Sequence, residues 1–429
     1  MTDNHVSLNM NVRGLEQSAT IAINDRSKNL DENGKHIYRL GLGQSPFPVP
    51  LNVVNALKQN AHQKDYLPAA GLRQLRQTVA EFHRRKDGVE ASADGVIIGP
   101  GSKELMFILQ IVFYGELMVP TPCWVSYMPQ ANIIGKKVSH VHTRKEHRWM
   151  MSAEALEEHL REQNDRYRPR ILILNYPSNP VGCTYPEEEL KAIARVAREY
   201  ELILLSDEIY GQLHHRGRHV SIARYYPEAT IISGGLSKWC GAGGWRLGTF
   251  TFPPDLQWIL EKMSVVASET FTSVCAPIQY AACRAFTGGI SIEEYLLHCR
   301  RILSTLGNRL ATMFNDAGIE VNSPEGGFYL YPDFTRFRKQ LKQRGITDSR
   351  ALCEDLLEET GVAILPGASF GRDAKELTAR LAYVDFDGAE ALAKSKMHAV
   401  DKPLPDDFPE KCAFNVIKSA QTIIDWVKG

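Results

Sequence analysis

The chain has 429 residues, 44% of them hydrophobic and 23% charged, the composition of an ordinary globular protein long enough for two domains. Fifty Lys and Arg residues balance fifty Asp and Glu residues, so no overall field favours nucleic acid or an anionic membrane as partner. The longest apolar run, MFILQIVFY from Met106, is broken by Gln110 and is too short to span a bilayer.

In chain order, the opening MTDNHVSLNM lacks the charged-then-apolar pattern of a signal peptide, and residues 1 to about 35 are polar with a helical patch at TIAINDRSKNL. Short apolar runs then alternate with longer amphipathic ones. VIIG (96–99) precedes KELMFILQIVFY, and ELMVP (116–120) precedes a turn and VSYMPQANII. ILILNYP (171–177) precedes PEEELKAIARVAREY, where Leu190, Ile193 and Ala197 recur at helical spacing. LILLSDEIY (202–210), TIISGGL (230–236) and GTFTF follow. Leu/Ile/Val runs separated by amphipathic helices predict an α/β fold with a mostly parallel sheet covered on both faces. After about residue 290 a long helix carries Leu296, Ile302, Leu303, Leu306 and Leu310, and separated strands follow in PEGGFYLYPDF, GVAILPG and ARLAYVDF. This half predicts a smaller α+β domain. The segment DKPLPDDFPEKC (401–412), with three prolines and six charges, predicts a surface loop before a last helix, FNVIKSAQTIIDWVKG. The expected division is an N-terminal segment joined to part of the small domain (1–55), a large domain (56–310) and a small C-terminal domain (311–429).

In a parallel α/β sheet, ligands bind beyond the carboxyl ends of the strands, so the residues that follow each apolar run are informative. After VIIG, Ser102 and Lys103 open a helix whose free N–H groups suit a phosphate. After LMVP comes Trp124, an aromatic face; after ILIL come Asn175 and Asn179, held by prolines; after LILL come Asp207 and Tyr210. TIIS leads into GGLSKWCGAGGWRLG, with Ser237, Lys238 and Arg246 in a glycine-rich run. Taken singly these are a helix cap, a core aromatic, turn residues and solvated charges. Together they supply a phosphate cradle, an aromatic plate, amide donors, a carboxylate, a phenol, an amine and a guanidinium. Pyridoxal phosphate uses this set: a lysine for its aldehyde, a carboxylate for its ring nitrogen, donors for its phenolate, and arginine and backbone N–H for its phosphate.

The ordered blocks GPGSKELMF, TPCWVSY, NYPSNPVG, SDEIY, LSKWCGAGGWRLG, GGFYLY and ARLAY resemble those of the fold-type I, class I/II aminotransferases, as do NVRGLEQSATIAINDRSKNL with GLGQSPF, and DYLPAAGLRQLR. The resemblance covers nearly the whole chain. It implies a large domain built on a mostly parallel seven-stranded-type sheet, pyridoxal 5′-phosphate as cofactor, and a cytoplasmic homodimer with shared active sites. By position, Lys238 would form the Schiff base and move the proton, Asp207 would hold the ring nitrogen protonated, and Asn179 and Tyr210 would bond the phenolic oxygen. Trp124 and Ile209 would sandwich the ring. Ser102, Lys103 through its N–H, Ser237 and Arg246 would hold the phosphate, with Tyr66 reaching in from the partner subunit. Arg380, assisted by the backbone near Gly43, would take the substrate α-carboxylate. The GSK and WVSY blocks resemble bacterial aspartate aminotransferases, in which a lysine here meets a distal carboxylate, so Lys103 would favour aspartate or glutamate.

The implied reaction is a ping-pong exchange between an L-amino acid and a 2-oxo acid. One departure stands out: many members have serine three residues before the lysine, where this chain has Gly235. Alanine-, aromatic- and methionine-type aminotransferases share the other blocks, and a lyase or synthase uses the same cofactor on the same fold. A nucleotide-binding oxidoreductase is disfavoured, since no G-x-G-x-x-G follows the first strand. Eight cysteines without a C-x-x-C pair suit neither a disulfide framework nor zinc, and HHRGRH, with His214, His215 and His219, reads as a surface loop; no metal is expected.

Overall fold

The short apolar runs become strands, whereas the longest, from Met106, lies mostly in helix Ser102–Val112. The computed structural model describes residues 8–163, 165 and 168–429; the opening MTDNHVS lies outside them. In chain order the first strands are β1 (Tyr38–Arg39), β2 (Val96–Gly99), β3 (Glu116–Thr121), β4 (Val138–His142) and β5 (Arg170–Asn175). Then come β6 (Ile203–Asp207), β7 (Thr230–Gly235) and β8 (Gly248–Thr251). Strands β2 to β8 form a seven-stranded sheet in the order β2-β8-β7-β6-β5-β3-β4. The pairs from β4 through β7 are parallel, and β8 runs antiparallel to both of its neighbours.

Successive side chains on a strand point to opposite faces, so continuous apolar runs feed two cores. Leu117, Val119, Ile171 and Ile173 pack against Leu105 and Leu109 of helix Ser102–Val112 and Ile259 and Met263 of helix Gln257–Glu269. Met118, Leu172 and Leu174 meet Leu156 and Leu160 of helix Ala153–Glu162 and Leu190 and Ile193 of helix Glu187–Glu199. Burial of each such side chain contributes about 1.5–3 kcal/mol.

Helix Ile290–Asp316 buries the five leucines and isoleucines that its periodicity marks. Beyond it lie β9 (Tyr329–Leu330), β10 (Val362–Ala363), β11 (Leu365–Pro366) and β12 (Ala379–Ala382). The last of these pairs with β11 and β9 in an antiparallel three-stranded sheet, while β10 pairs in parallel with β1 and so stitches the start of the chain to its last third.

Two expectations are corrected. Segment 401–412 is packed rather than a surface loop: Leu404, Phe408 and Cys412 join the core. Arg301 also ties down its start and the chain before it, donating to the carbonyls of His398, Ala399 and Lys402. In HHRGRH the tip, residues 216–218, is exposed as expected, but the histidines on either side face inward. The His215 ring nitrogens face the carbonyls of Pro324 and Gly327, each at 3.1 Å, and His219 Nε2 lies 2.8 Å from Glu208 Oε2. Burial disfavours a charged His219, but the Glu208 carboxylate outweighs it and raises its pKa. Among the described residues no helix is long and apolar enough to cross a membrane.

Candidate active site

The sheet register brings the chemistry-bearing residues to one level. Asn175 of β5 pairs with Asp207 of β6, Asp207 pairs with Ser233 of β7, and Gly248 of β8 stands opposite both Gly235 and Gly99. Above this row lies a cavity of about 360 Å³. Every site residue foreseen from the sequence borders it except Tyr66, which is 90% exposed on the outer surface. Ser18, Thr20 and Ile21 of the N-terminal segment form part of its rim, a contribution not foreseen.

Asp207 is 4% exposed, and burial lifts its carboxyl pKa to about 6 despite two hydroxyl donors. Tyr127 donates to Oδ2 at 2.6 Å and Ser233 to Oδ1 at 3.2 Å. Asn175 closes the row, giving its amide N–H to the Asp207 carbonyl at 2.9 Å and accepting from the Asn179 N–H at 2.7 Å.

Lys238 is half-buried, with its amine turned into the cavity. Its Nζ donates to the Gly43 carbonyl at 2.7 Å and lies 5.7 Å from the Tyr210 ring centroid. Burial, reinforced by the Arg380 charge and opposed by Asp207, lowers its pKa to about 8. A lysine so placed is still largely protonated at pH 7 but releases a neutral amine as pH passes about 8, far below the ordinary lysine range, and a neutral amine is the requirement for attack on a carbonyl.

Two glycines, Gly101 and Gly248, permit close approach. A Cβ on Gly248 would overlap the Ser102 nitrogen at the start of helix Ser102–Val112, and one on Gly101 would overlap the Arg246 guanidinium. Ser102, Ser237 and Arg246 thereby converge on one end of the cavity, with Arg246 braced by the Gly243 carbonyl at 2.9 Å. Gly235 has φ +152°, and a Cβ there would lie 2.7 Å from the Leu247 carbonyl. A serine does not fit this backbone, which explains the departure noted in the sequence. Lys103 Nζ sits 5.1 Å from the Trp124 ring centroid, and its pKa is lowered by burial and by Arg246. Pairing of Lys103 with Glu104 is not among the ion pairs of the described residues.

At the opposite end Arg380, 1% exposed, is held between aromatic faces, 4.9 Å from Tyr329 and 5.1 Å from Phe370. It donates to Asn179 Oδ1 at 3.1 Å and to the Gly41 carbonyl, while its buried Nε has no hydrogen-bond partner among the described residues. An orphaned guanidinium nitrogen in a cavity is a donor awaiting an anion. Because Arg380 takes the Asn179 oxygen, the amide nitrogen is left for a ligand. Tyr210 and Tyr329 share a hydroxyl–hydroxyl bond of 2.7 Å. Four cations, Lys103, Lys238, Arg246 and Arg380, thus border the cavity with a single carboxylate, Asp207, so a polyanionic ligand fits it.

The family model for aminotransferase class I and II matches residues 35–392. The chain belongs to the class I and II aminotransferases. This aminotransferase is 32% identical over 370 residues to an aspartate aminotransferase of Bacillus subtilis, covering 84% of this chain and 91% of that one. It is 30% identical over 375 residues to an asparagine–oxo-acid transaminase of Streptococcus mutans, covering 85% and 92%. The solved aspartate aminotransferase of Thermus thermophilus with maleate superposes with a TM-score of 0.81 at 29% identity, covering 91% of this chain and 97% of that one.

Sequence reasoning missed three residues of the aminotransferase site: Tyr127, Ser233 and Tyr329. Each lies in a quoted block, and two were open to inference. Ser233 ends an apolar run in the strand after Asp207, and Tyr127 follows Trp124 by three positions, one helical turn.

Tyr127→Phe removes the shorter of the two bonds to the Asp207 carboxylate. That bond favours the ionised form, so the Asp207 titration midpoint is expected to rise above about 6 when followed by isotope-edited infrared spectroscopy. Because the folded pKa lies above the ordinary 3.8, the stability due to Asp207 is greatest below pH 3.8 and falls as pH rises through about 6. The variant should therefore lose about 1–3 kcal/mol at pH 7 and much less at pH 4. An unchanged midpoint contradicts this account.

Proposed function

We propose that this aminotransferase binds pyridoxal 5′-phosphate and moves the amino group of an acidic L-amino acid, aspartate or glutamate, to a 2-oxo acid in a ping-pong cycle. The observation that carries the reading is the Lys238 amine, its pKa lowered to about 8, in a cavity with one buried carboxylate and three further cations. The residues fit the cofactor: the glycine cradle beside Ser102 and Arg246 accepts a phosphate, and Asp207 accepts a ring N–H. When bound, pyridoxal phosphate supplies an aldehyde for amine exchange and a ring that withdraws the electron pair left at the substrate Cα.

The chain's own residues do the rest. Trp124 and Ile209 hold the ring plane, and the Asn179 amide and Tyr210 hydroxyl donate to the phenolic oxygen. Ser102, the Lys103 N–H, Ser237 and Arg246 bind the phosphate. Asp207 keeps a proton on the ring nitrogen. Arg380 fixes the α-carboxylate through its fork, with the backbone at Gly43 beside it, which turns the Cα proton toward Lys238 Nζ. With its pKa lowered to about 8 above the Asp207 row, that nitrogen is the base that removes and returns the proton. Lys103, on the Trp124 face, meets a distal carboxylate. The names of the similar proteins, aspartate aminotransferase and asparagine–oxo-acid transaminase, support a short acidic or amide substrate.

The same reading includes a cytoplasmic homodimer. Eight free cysteines suit a reducing compartment. Tyr66, Leu51, Trp258 and Val265 are large exposed apolar groups that a partner subunit would cover, with Tyr66 completing the partner's phosphate site.

Lys238→Ala is expected to lower transamination more than about 1,000-fold; full activity ends this reading. Lys103→Ala should raise KM for aspartate about tenfold and leave alanine unchanged, since a charge-assisted bond to the distal carboxylate is lost. An equal effect on both amino acids removes Lys103 from substrate selection. Sedimentation equilibrium should give a dimer at micromolar concentration, and a fully active monomer refutes the shared site.

A further inference from the structure

The two walls of the cavity come from distant parts of the chain. Trp124 and Tyr127 belong to the segment that leaves β3, whereas Arg380 lies on β12. Behind the cavity one guanidinium, that of Arg372, connects them. Its Nη1 donates to the Thr121 carbonyl and to the Thr143 carbonyl, each at 3.1 Å. Glu376 holds the other edge of the fork in two bonds of 2.8 Å, to Nε and Nη2. Thr121, three residues before Trp124, also accepts from Thr143 Oγ1 at 2.7 Å.

From Arg372 a file of stacked groups runs back to the other wall. The guanidinium lies 4.9 Å from the Trp149 ring, Trp149 lies edge-on to Tyr331 at 5.7 Å, Tyr331 meets Phe370 at 6.4 Å, and Phe370 lies under Arg380 at 5.1 Å. The Phe370 carbonyl closes the loop by accepting from the Cys123 N–H at 3.0 Å. Gly371 has φ +83°, and a Cβ there would press on Thr121 and Met128, each at 3.0 Å, so this turn is seated directly on the Trp124 segment. Trp149 and its neighbour Arg148 have φ of 57° and 59°, left-handed conformations that cost a bulky residue about 1–3 kcal/mol and persist only where surrounding contacts demand them. Here the Arg372 stack and the 2.6 Å Arg148–Glu325 ion pair make that demand.

We propose that Arg372 is a positioning residue that sets the separation between Trp124 and Arg380, and so couples the site's hold on the cofactor ring to its hold on the substrate carboxylate. The inference rests on the cofactor reading above. Lysine is a poor substitute because a point charge cannot reach two carbonyls and a bidentate carboxylate while stacking on Trp149.

The test uses holoenzyme reconstituted with pyridoxal phosphate, with maleate as an unreactive dicarboxylate probe. Maleate and pyridoxal phosphate dissociation constants are measured for the parent, Arg372→Lys and Arg372→Met, alongside thermal midpoints. In both variants maleate binding should weaken about tenfold, pyridoxal phosphate should dissociate more readily, and KM for aspartate should rise more than kcat falls. A purely structural arginine would lower the thermal midpoint and leave both constants of the folded protein at the parental value; that result overturns the proposal. If Arg372→Met does not fold, Glu376→Gln decides, since it leaves the arginine but loosens its fork: severalfold weaker maleate binding supports the role, and parental constants overturn it. A parent that takes up no pyridoxal phosphate refutes the cofactor reading instead, so the two failures are distinguishable.

Discussion

The organising constraint of this molecule is one buried carboxylate. Removing the charge of Asp207 from water carries a penalty of several kcal/mol, and the two hydroxyls that bond it offset only part, as the upward-shifted pKa shows. Four cations stand around this one carboxylate, and burial disfavours the charge of Lys238 and Arg380 as well. Neither sign is satisfied by the protein alone, which suits the cavity to a charged ligand. The site is thus assembled at the expense of stability, as expected where function sets the charges.

Rigid elements hold that arrangement. Parallel register places Asn175, Asp207 and Ser233 side by side without any loop having to be ordered. The helix that begins at Ser102 can approach the sheet because Gly248 has no side chain at the point of contact. The opposite wall is not part of the sheet. It comes from β12 and the 367–372 turn, joined to the sheet by Arg372 and the aromatic file behind Arg380. A site divided between two bodies needs such a joint, because a shift of about 1 Å between binding groups is enough to lose much of the benefit of orientation.

Much of this was legible in the chain. Continuous apolar runs forecast the buried, mostly parallel strands, and residues after VIIG, LMVP, ILIL, LILL and TIIS border the cavity. The β4 strand was missed because KKVSHVH alternates apolar with Ser and His, as suits the edge of the sheet. Tyr329 was missed because an aromatic within an apolar block carries no mark distinguishing a packed ring from one whose hydroxyl reaches a functional partner. Residues 401–412 and HHRGRH misled because charge and proline suggest exposure, whereas Leu404, Phe408 and the two inward-facing imidazoles of His215 and His219 found partners in distant segments.

The sequence by itself determined the alternation of strands and helices, the identity of the reactive groups and their order, because those follow from local periodicity and from residue chemistry. Tertiary structure alone decided which oxygen each donor meets, that Lys238 loses enough hydration to lower its pKa, that Gly235 admits no side chain, and that Arg372 lies behind both walls. These depend on contacts between neighbouring strands and between distant segments, and on burial, which a pattern along the chain does not contain.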